Sequence, residues 1–511
     1  MKKRLCLLVL AAMLLLTACA GSAGNVEELL EAPKLSQSQT RVVEELNRTI
    51  GGTAKLKYPR RGDFLSPFVF KDLNGDGTDE AVVFYTDDTS EQKSKNVKVA
   101  LLAQTDGKWS VLWDAEGLGT EIEAVSFSTM YGADTATLLV GYTSASLSDK
   151  FLAVYTYKAE EHTMQQVDKR SYSEYALADF TGNGTDDLMV LSPSTQPGPM
   201  QVSLLTVQGG ELQPVTTYPL DTLLQSSSAI YTSISGGQTS LVVDGITSGG
   251  TLASEELYFD AANSRLSSHS ARLGVSIPTL STRTVTSLRS RDIDEDGSVE
   301  IPVVQGSVSA FSTDQRMLWV SFYDFAAISV YQNNFEKETV QPGRQIPSVL
   351  PVTSERSAAS ATASPSPAPS PGTGAASSSG ASSGTAPSPS PAPTPVPTET
   401  PAEPTNEKSF GLADLSYGYY MPLPVQWKNR ITVQRLGARD WYLTDTASGE
   451  TLLTVQILGS DESLMSGGIH FGDAGDYTQV AAVGRYRIFV RVRPDTGIDT
   501  AEILGGVTVL S

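Results

Sequence analysis

An acidic nine-residue segment occurs three times in the chain, and it constrains the fold more than any other feature. It reads DLNGDGTDE at 72–80, DFTGNGTDD at 179–187 and DIDEDGSVE at 292–300. We name these segments loop 1, loop 2 and loop 3. Oxygen-bearing side chains at positions 1, 3 and 5, a glycine at position 6 and a carboxylate at position 9 are typical of a cage for a hard cation. Calcium fits best, because it takes about six to eight oxygen ligands and tolerates irregular geometry.

Loop 1 and loop 3 contain the fullest sets of predicted ligands, four side chains each and a backbone carbonyl at position 7. These residues are Asp72, Asn74, Asp76, Thr78 and Glu80 in loop 1, and Asp292, Asp294, Asp296, Ser298 and Glu300 in loop 3. Loop 2 has Thr181 at position 3, so its candidate ligands reduce to Asp179, Asn183 and Asp187. Ordinary Asp-Gly and Asn-Gly turns are the alternative interpretation of all three loops.

An EF-hand loop begins with the same pattern but requires a glutamate at position 12 and a helix after it. Position 12 is Val83, Val190 or Val303 in the three loops, so the EF-hand interpretation fails. The position-9 carboxylate is followed instead by β-branched and apolar residues, and each loop is therefore predicted to join two strands.

On these residues, the loops and the strands after them resemble the FG-GAP (VCBS-type) repeat of bacterial surface proteins and of integrin α-chains. That resemblance implies a β-propeller in which each loop lies between the first two strands of a blade. We expect the Ca²⁺ to be structural, because a catalytic metal faces a substrate cleft whereas these loops hold adjacent strands together.

The spacing of strands between the loops also favours a propeller. Strands are predicted to open at 80, 137, 187, 240 and 300, a period near fifty residues with one strand–loop–strand unit each. Such a period is typical of propeller blades, which need neighbours to bury their faces. We predict a mainly β protein with a propeller of about five blades over 60–345. A sixth blade and a pair of β-sandwiches are the alternatives.

The N-terminus reads as a lipoprotein signal peptide over 1–19, with a basic start and an apolar core too short to span a bilayer. Its end resembles the bacterial lipobox, which implies lipid on Cys19 and attachment to the extracytoplasmic face of the membrane. An ordinary signal peptide is the alternative. A polar tether follows over 20–36, and then a short helix over 37–52 with Ser36 as a candidate cap.

Two further segments complete the predicted organisation. Residues 346–408 are rich in Pro, Ser, Thr and Ala and are predicted to be a disordered linker, so that the parts on either side need not touch. Residues 409–511 are predicted to form a small α+β domain with an antiparallel sheet. Its start, from Tyr417 to Lys428, resembles that of PsbP-like domains.

Composition narrows the function. A formal net charge of −20 argues against nucleic acid as a partner, because the chain lacks a basic field. The three histidines, His162, His269 and His470, stand in no recognisable catalytic order. We therefore expect a binding or adhesion module for an envelope protein or glycan. The alternatives are a glycan hydrolase or lyase with carboxylates at the propeller mouth, and a purely structural spacer.

Overall fold

The computed structural model describes residues 35–87, 95–132, 135–144, 149–193, 198–307, 317–323, 410–435, 439–464, 476–496, 503 and 505–510. The predicted signal peptide, Cys19, most of the tether and the linker over 346–408 lie outside these residues. Among the described residues, no helix is both long and apolar enough to cross a membrane. The chain divides into two compact units, 1–170 and 171–511.

The described residues of unit 1 form one helix followed by nine strands. Their bounds are α1 Gln37–Ile50, β1 Ala54–Leu56, β2 Phe68–Lys71, β3 Glu80–Asp87, β4 Lys98–Thr105, β5 Lys108–Glu116, β6 Glu121–Ser128, β7 Thr137–Thr143, β8 Lys150–Lys158 and β9 Thr163–Ser171. Strands β1 to β5 form antiparallel sheet A, and β6 to β9 form antiparallel sheet B.

The described part of unit 2 contains the remaining strands and the short helices α2 and α3. Their bounds are β10 Glu174–Ala178, β11 Asp187–Ser192, β12 Gln201–Gln208, β13 Glu211–Pro219, β14 Leu224–Ser235, β15 Gln238–Thr247, β16 Leu252–Asp260, β17 Arg265–Ser268, α2 His269–Leu273, α3 Ile277–Leu280, β18 Ile301–Ser307, β19 Met317–Tyr323, β20 Phe410–Asp414, β21 Tyr419–Pro422, β22 Ile431–Arg435, β23 Asp440–Asp445, β24 Thr451–Gly459, β25 Thr478–Val483, β26 Tyr486–Val492 and β27 Thr508–Val509. Single 3-10 turns lie at Val425–Trp427 and Pro494–Thr496.

Four antiparallel sheets organise these strands. Sheet C is β10 to β13, and sheet D is β14 to β17. Sheet E has the order β18-β19-β20-β21-β27, and sheet F has the order β22-β23-β24-β26-β25. The protein is thus mainly β and built from several antiparallel sheets, as the sequence predicts.

The predicted strand openings agree with the structure. Strands begin at Glu80, Thr137, Asp187, Gln238 and Ile301, each within two residues of its predicted position. Loops 1 and 2 join the neighbouring strands β2–β3 and β10–β11, as expected. Loop 3 is closed instead by a single bridge between Arg291 and Glu300 before β18 begins.

The predicted N-terminal helix is present as α1. The Ser36 side chain accepts a hydrogen bond from the Gln39 N–H, and Gly51 ends the helix with φ 68°. Glycine suits this position because it has no Cβ to clash in the left-handed region. Val42 and Leu46 are buried against sheet A, so the helix packs on its neighbour rather than standing apart.

Strand β3 is buried on both faces. Val83 and Tyr85 face the core shared with α1, whereas Val82 and Phe84 face the core shared with sheet B. Side chains alternate along a strand, so a continuous apolar run is what a strand covered on both faces requires.

The predicted boundary at 409 is wrong. Strand β20, which follows the linker, pairs with β19, which precedes it, from Met317↔Asp414 to Ser321↔Phe410. Residues 410–422 therefore complete sheet E instead of opening an independent domain. One apolar core joins sheets E and F, with Trp319 and Leu412 from the first and Trp441 and Val455 from the second.

Candidate metal centre

The three loops share a hydrogen-bond pattern that the position-1 and position-5 side chains create. The position-1 aspartates, Asp72, Asp179 and Asp292, each accept the N–H of the position-6 glycine at 2.8 Å. The position-5 side chains accept the N–H at position 7, at 2.7 Å in loops 1 and 3 and at 2.8 Å in loop 2. The nine-residue motif thus folds in one way wherever it occurs.

The position-9 carboxylate is buried at the base of every loop. Glu80 is 2% exposed, Asp187 0% and Glu300 4%. Glu80 and Glu300 accept the position-2 N–H groups of Leu73 at 2.9 Å and Ile293 at 3.0 Å. The shorter Asp187 side chain accepts the N–H at position 3 instead, at 2.7 Å. A buried carboxylate in this setting requires a counter-charge or a proton.

The loop backbone is tight at positions 4 and 6. The position-6 glycines have φ values of 84°, 85° and 90°, a region that other residues seldom adopt. Position 4 is also glycine in loops 1 and 2, where Gly75 and Gly182 have φ of 77° and 73°. Loop 3 holds Glu295 there at φ 64°, so it retains a strained residue that its counterparts avoid.

Loop 3 brings its carboxylates together. Asp292, Asp294 and Glu300 each offer an oxygen, and these oxygens lie within 4.8 Å of one another. It is the one such group of three acidic side chains among the described residues. Burial first, and then the charges of the neighbouring aspartates, raise the pKa of Glu300 to about 8. These hard oxygen donors fit Ca²⁺, which would supply the missing positive charge.

Loop 1 is closed by an amide that loop 3 lacks. The Asn74 Nδ2 donates to Asp76 Oδ2 at 3.0 Å and to Glu80 Oε1 at 2.9 Å. Burial, followed by the charges of Asp76 and Asp72, raises the pKa of Glu80. The N–H of Gly77 is the main cause that lowers the pKa of Asp72. The amide thus bridges two carboxylates in the way that a cation would.

Loop 2 contains two buried oxygens without a hydrogen-bond partner in the described part of the chain. They are Asp187 Oδ1 and Thr181 Oγ1. The Asn183 amide turns away from them and donates to Thr206 on β12 at 3.4 Å. This loop has fewer carboxylates than loop 3, but its orphaned oxygens are compatible with a bound cation or water.

Two loops also contact a neighbouring sheet, which the sequence analysis did not anticipate. In loop 3, Val299 N–H donates to Ser233 Oγ at 2.9 Å, and Ile234 N–H donates to Gly297 O at 2.9 Å, both on β14. In loop 1, the Asn74 side chain hydrogen-bonds to the hydroxyl of Tyr157 on β8. Burial raises the pKa of this hydroxyl, and the hydrogen bond to Asn74 lowers it. These partners are 63 or more residues away along the sequence, from Ile234 to Gly297 in the shortest case, so no local pattern could reveal them.

The two histidines in the described part of the chain each contact a tyrosine. His162 Nδ1 lies 3.2 Å from the Tyr157 hydroxyl. His269 is buried against Tyr258, and burial lowers its pKa to about 4. His470 lies outside the described residues.

Arginines on and beside β26 have protein partners; they are Arg485, Arg487, Arg491 and Arg493. Arg491 Nε lies 3.3 Å from Asp476, and Arg493 Nη1 lies 2.7 Å from Glu450. Arg487 donates to the Glu462 carbonyl at 2.6 Å. These pairings agree with a structural strand face.

Comparisons with known proteins define no family. No family model matches the chain, and no curated protein matches its sequence. Among solved structures, the chain is similar to Saccharomyces cerevisiae Sqt1, at 12% identity and TM-score 0.28 over 52% of this chain and 62% of that one. It is also similar to a rhamnogalacturonan lyase from Bacillus licheniformis, at 10% identity and TM-score 0.26 over 53% and 68%.

A third similar structure is a hypothetical selenium-binding protein from Sulfolobus tokodaii, at 10% identity and TM-score 0.26 over 41% and 55%. The chain thus spans less than two thirds of the length of two of these three proteins. At these TM-scores the similarities assign no fold, family or ligand to the chain.

Proposed function

We propose that the protein is a calcium-stabilised binding or adhesion module held on the extracytoplasmic face of a bacterial membrane through lipid on Cys19. Its ligand is a protein or glycan of the cell envelope. The observation that carries the calcium part is the shared geometry of the three loops, with a buried position-9 carboxylate in each and clustered carboxylates in loop 3.

Sheets A to E are, in this proposal, five blades of one propeller of the FG-GAP type. The support is the regular recurrence of strand openings, from Glu80 to Ile301, and the position of loops 1 and 2 between two neighbouring strands of one sheet. Sheet F adds a further layer over sheet E through their common core.

Calcium has a structural role in this proposal. Loop 3 bonds to β14 of sheet D and leads directly into β18 of sheet E, so an ion there would fasten two sheets. Binding to the folded state alone stabilises it by mass action, about 2.7 kcal/mol at a concentration one hundred times the Kd.

The calcium part is tested by thermal unfolding of the full chain after EDTA treatment. The melting temperature is measured in EDTA, in magnesium and in increasing calcium. We expect it to rise with calcium and to rise less with magnesium, which requires a stricter octahedral geometry. A melting temperature that is the same in calcium and in EDTA would contradict this part of the proposal.

The binding part is tested separately with the immobilised full chain. Purified envelope glycans and envelope proteins are passed over it in calcium and in EDTA. Saturable, calcium-dependent binding of one class supports the proposal. Failure of every preparation to bind the calcium-loaded chain counts against a binding module and favours a spacer.

A further inference from the structure

The segment 324–409, which contains the linker, connects two strands that are neighbours in one sheet. Strand β19 pairs with β18 on one side and with β20 on the other, although 86 residues of sequence, 324–409, separate β19 from β20. The ladder has five residue pairs, from Met317↔Asp414 to Ser321↔Phe410. The linker therefore leaves and re-enters the same sheet.

Apolar side chains bury both faces of this junction. On one face the rings of Trp319 and Phe410 stack with centroids 5.2 Å apart, within the core shared with sheet F. On the other face Phe322 and Tyr420 meet edge to face at 5.0 Å, in a cluster that includes Ile293 of loop 3. Extensive apolar burial of this kind is typical of obligate interfaces, which resemble a domain core cut in two.

A hydrogen bond from Arg291 adds a second attachment. It reaches the backbone of β27, which pairs with β21 inside the 410–510 segment through Tyr419↔Val509 and Tyr420↔Thr508. Arg291, which precedes loop 3, donates from Nη1 to the Val509 carbonyl at 3.0 Å. The segment from Phe410 to Leu510 is thus held by contacts that do not involve the linker.

We propose that residues 410–510 remain bound to the anchored part of the chain after the linker is cut, because β20 complements the open edge of β19. Non-covalent contacts then hold the two parts of the chain together, as they hold the two chains of a complex. A protease that cuts between 324 and 409 would nick the protein without releasing its C-terminal part from the cell surface.

The test uses the full chain with a specific protease site inserted between Gly380 and Ala381. After complete cleavage, the protein is passed over a size-exclusion column in calcium buffer and again in guanidinium chloride. We expect both pieces to co-elute in buffer and to separate in denaturant. Separate elution of a folded C-terminal piece in buffer would overturn the proposal.

A pair of variants makes the test specific. Trp319 lies before the cut, and the other members of its buried core, apart from Met317, lie at or after Phe410. After cleavage, W319A is expected to lose co-elution, and G505A, whose added Cβ would meet nothing within 4 Å, is expected to behave like the parent. Where W319A does not fold, the melting temperature of the cut parent decides: dependence on protein concentration supports a two-piece complex, and independence contradicts it.

Discussion

Loop 1 and loop 3 have the same nine-residue pattern, but different side chains surround their buried position-9 carboxylates. In loop 1 the Asn74 amide bonds to both Asp76 and Glu80. In loop 3 the equivalent residue is Asp294, which adds a negative charge to the group around Glu300. A single position thus separates a loop whose acids share an amide donor from one in which a further carboxylate joins the buried acid.

This difference implies an order of affinity. Loop 3 is expected to bind calcium more tightly, because its carboxylates are already close and each added charge strengthens a calcium site. Loop 1 must first break the two hydrogen bonds of the Asn74 amide. The predictions below test this contrast.

The largest effect is expected from pH in the absence of calcium. Glu300 has a pKa of about 8 in the folded protein, against an ordinary value of 4.5. The folded state therefore binds more protons than the unfolded state between these values, and stability falls as pH rises through that window. The loss approaches at most about 1.4 kcal/mol per pH unit.

The measurement is chemical denaturation in EDTA from pH 5 to pH 8.5 for the parent and for Glu300→Gln. The variant should lose this part of the pH dependence, and saturating calcium should remove it from the parent, since the ion replaces the proton. Parallel pH profiles of parent and variant in EDTA would refute the assignment to Glu300.

Exchange of the position-3 residues of loops 1 and 3 should have an effect of intermediate size. The change in stability in EDTA and the change in calcium affinity should have opposite signs. Asp294→Asn supplies loop 3 with an amide, so we expect stabilisation by about 1–2 kcal/mol in EDTA. The same change should weaken calcium binding by about tenfold, or 1.4 kcal/mol. Unfolding in both conditions and calcium calorimetry measure the two effects.

The reciprocal variant, Asn74→Asp, is the matched control in loop 1. It should lower stability in EDTA and raise calcium affinity. If Asp294→Asn and Asn74→Asp shift calcium affinity in the same direction, position 3 does not explain the contrast between the loops.

The smallest effect is expected at position 4. Glu295 has φ 64° where Gly75 has φ 77° in loop 1. Glu295→Gly should stabilise the protein by about 0.5–1 kcal/mol, because relief of the left-handed strain exceeds the entropy that glycine loses on folding. Gly75→Ala should destabilise it by about 1 kcal/mol. Urea unfolding in EDTA compares both with the parent, and a destabilised Glu295→Gly would show that the side chain itself contributes.

The sequence predicted the parts of the fold that local residues determine. Strand openings were predicted to within two residues because each follows a turn signal and begins an apolar run, as at Glu80 and Asp187. The capped helix after Ser36 was predicted for the same reason. The cluster of Asp292, Asp294 and Glu300 could also be predicted, since these residues lie within nine positions of one another.

Pairing between residues that are far apart in the sequence could not be predicted in the same way. The Pro- and Ser-rich composition of 346–408 indicates a linker, but composition does not record that the flanking strands β19 and β20 are hydrogen-bonded neighbours. The contacts of loop 3 with Ser233 and of loop 1 with Tyr157 were missed on the same ground. Nothing in the local pattern around Ser233 distinguishes it from the other serines of its strand.

We propose that the acidic loops bind a cation and that loop 3 binds it most tightly. The most direct measurement is an anomalous difference map from a crystal of the full chain grown in calcium, with data collected at long wavelength. We expect its strongest peak among the carboxylates of Asp292, Asp294 and Glu300. A map with no peak in loop 3, while that loop keeps its fold, would contradict it.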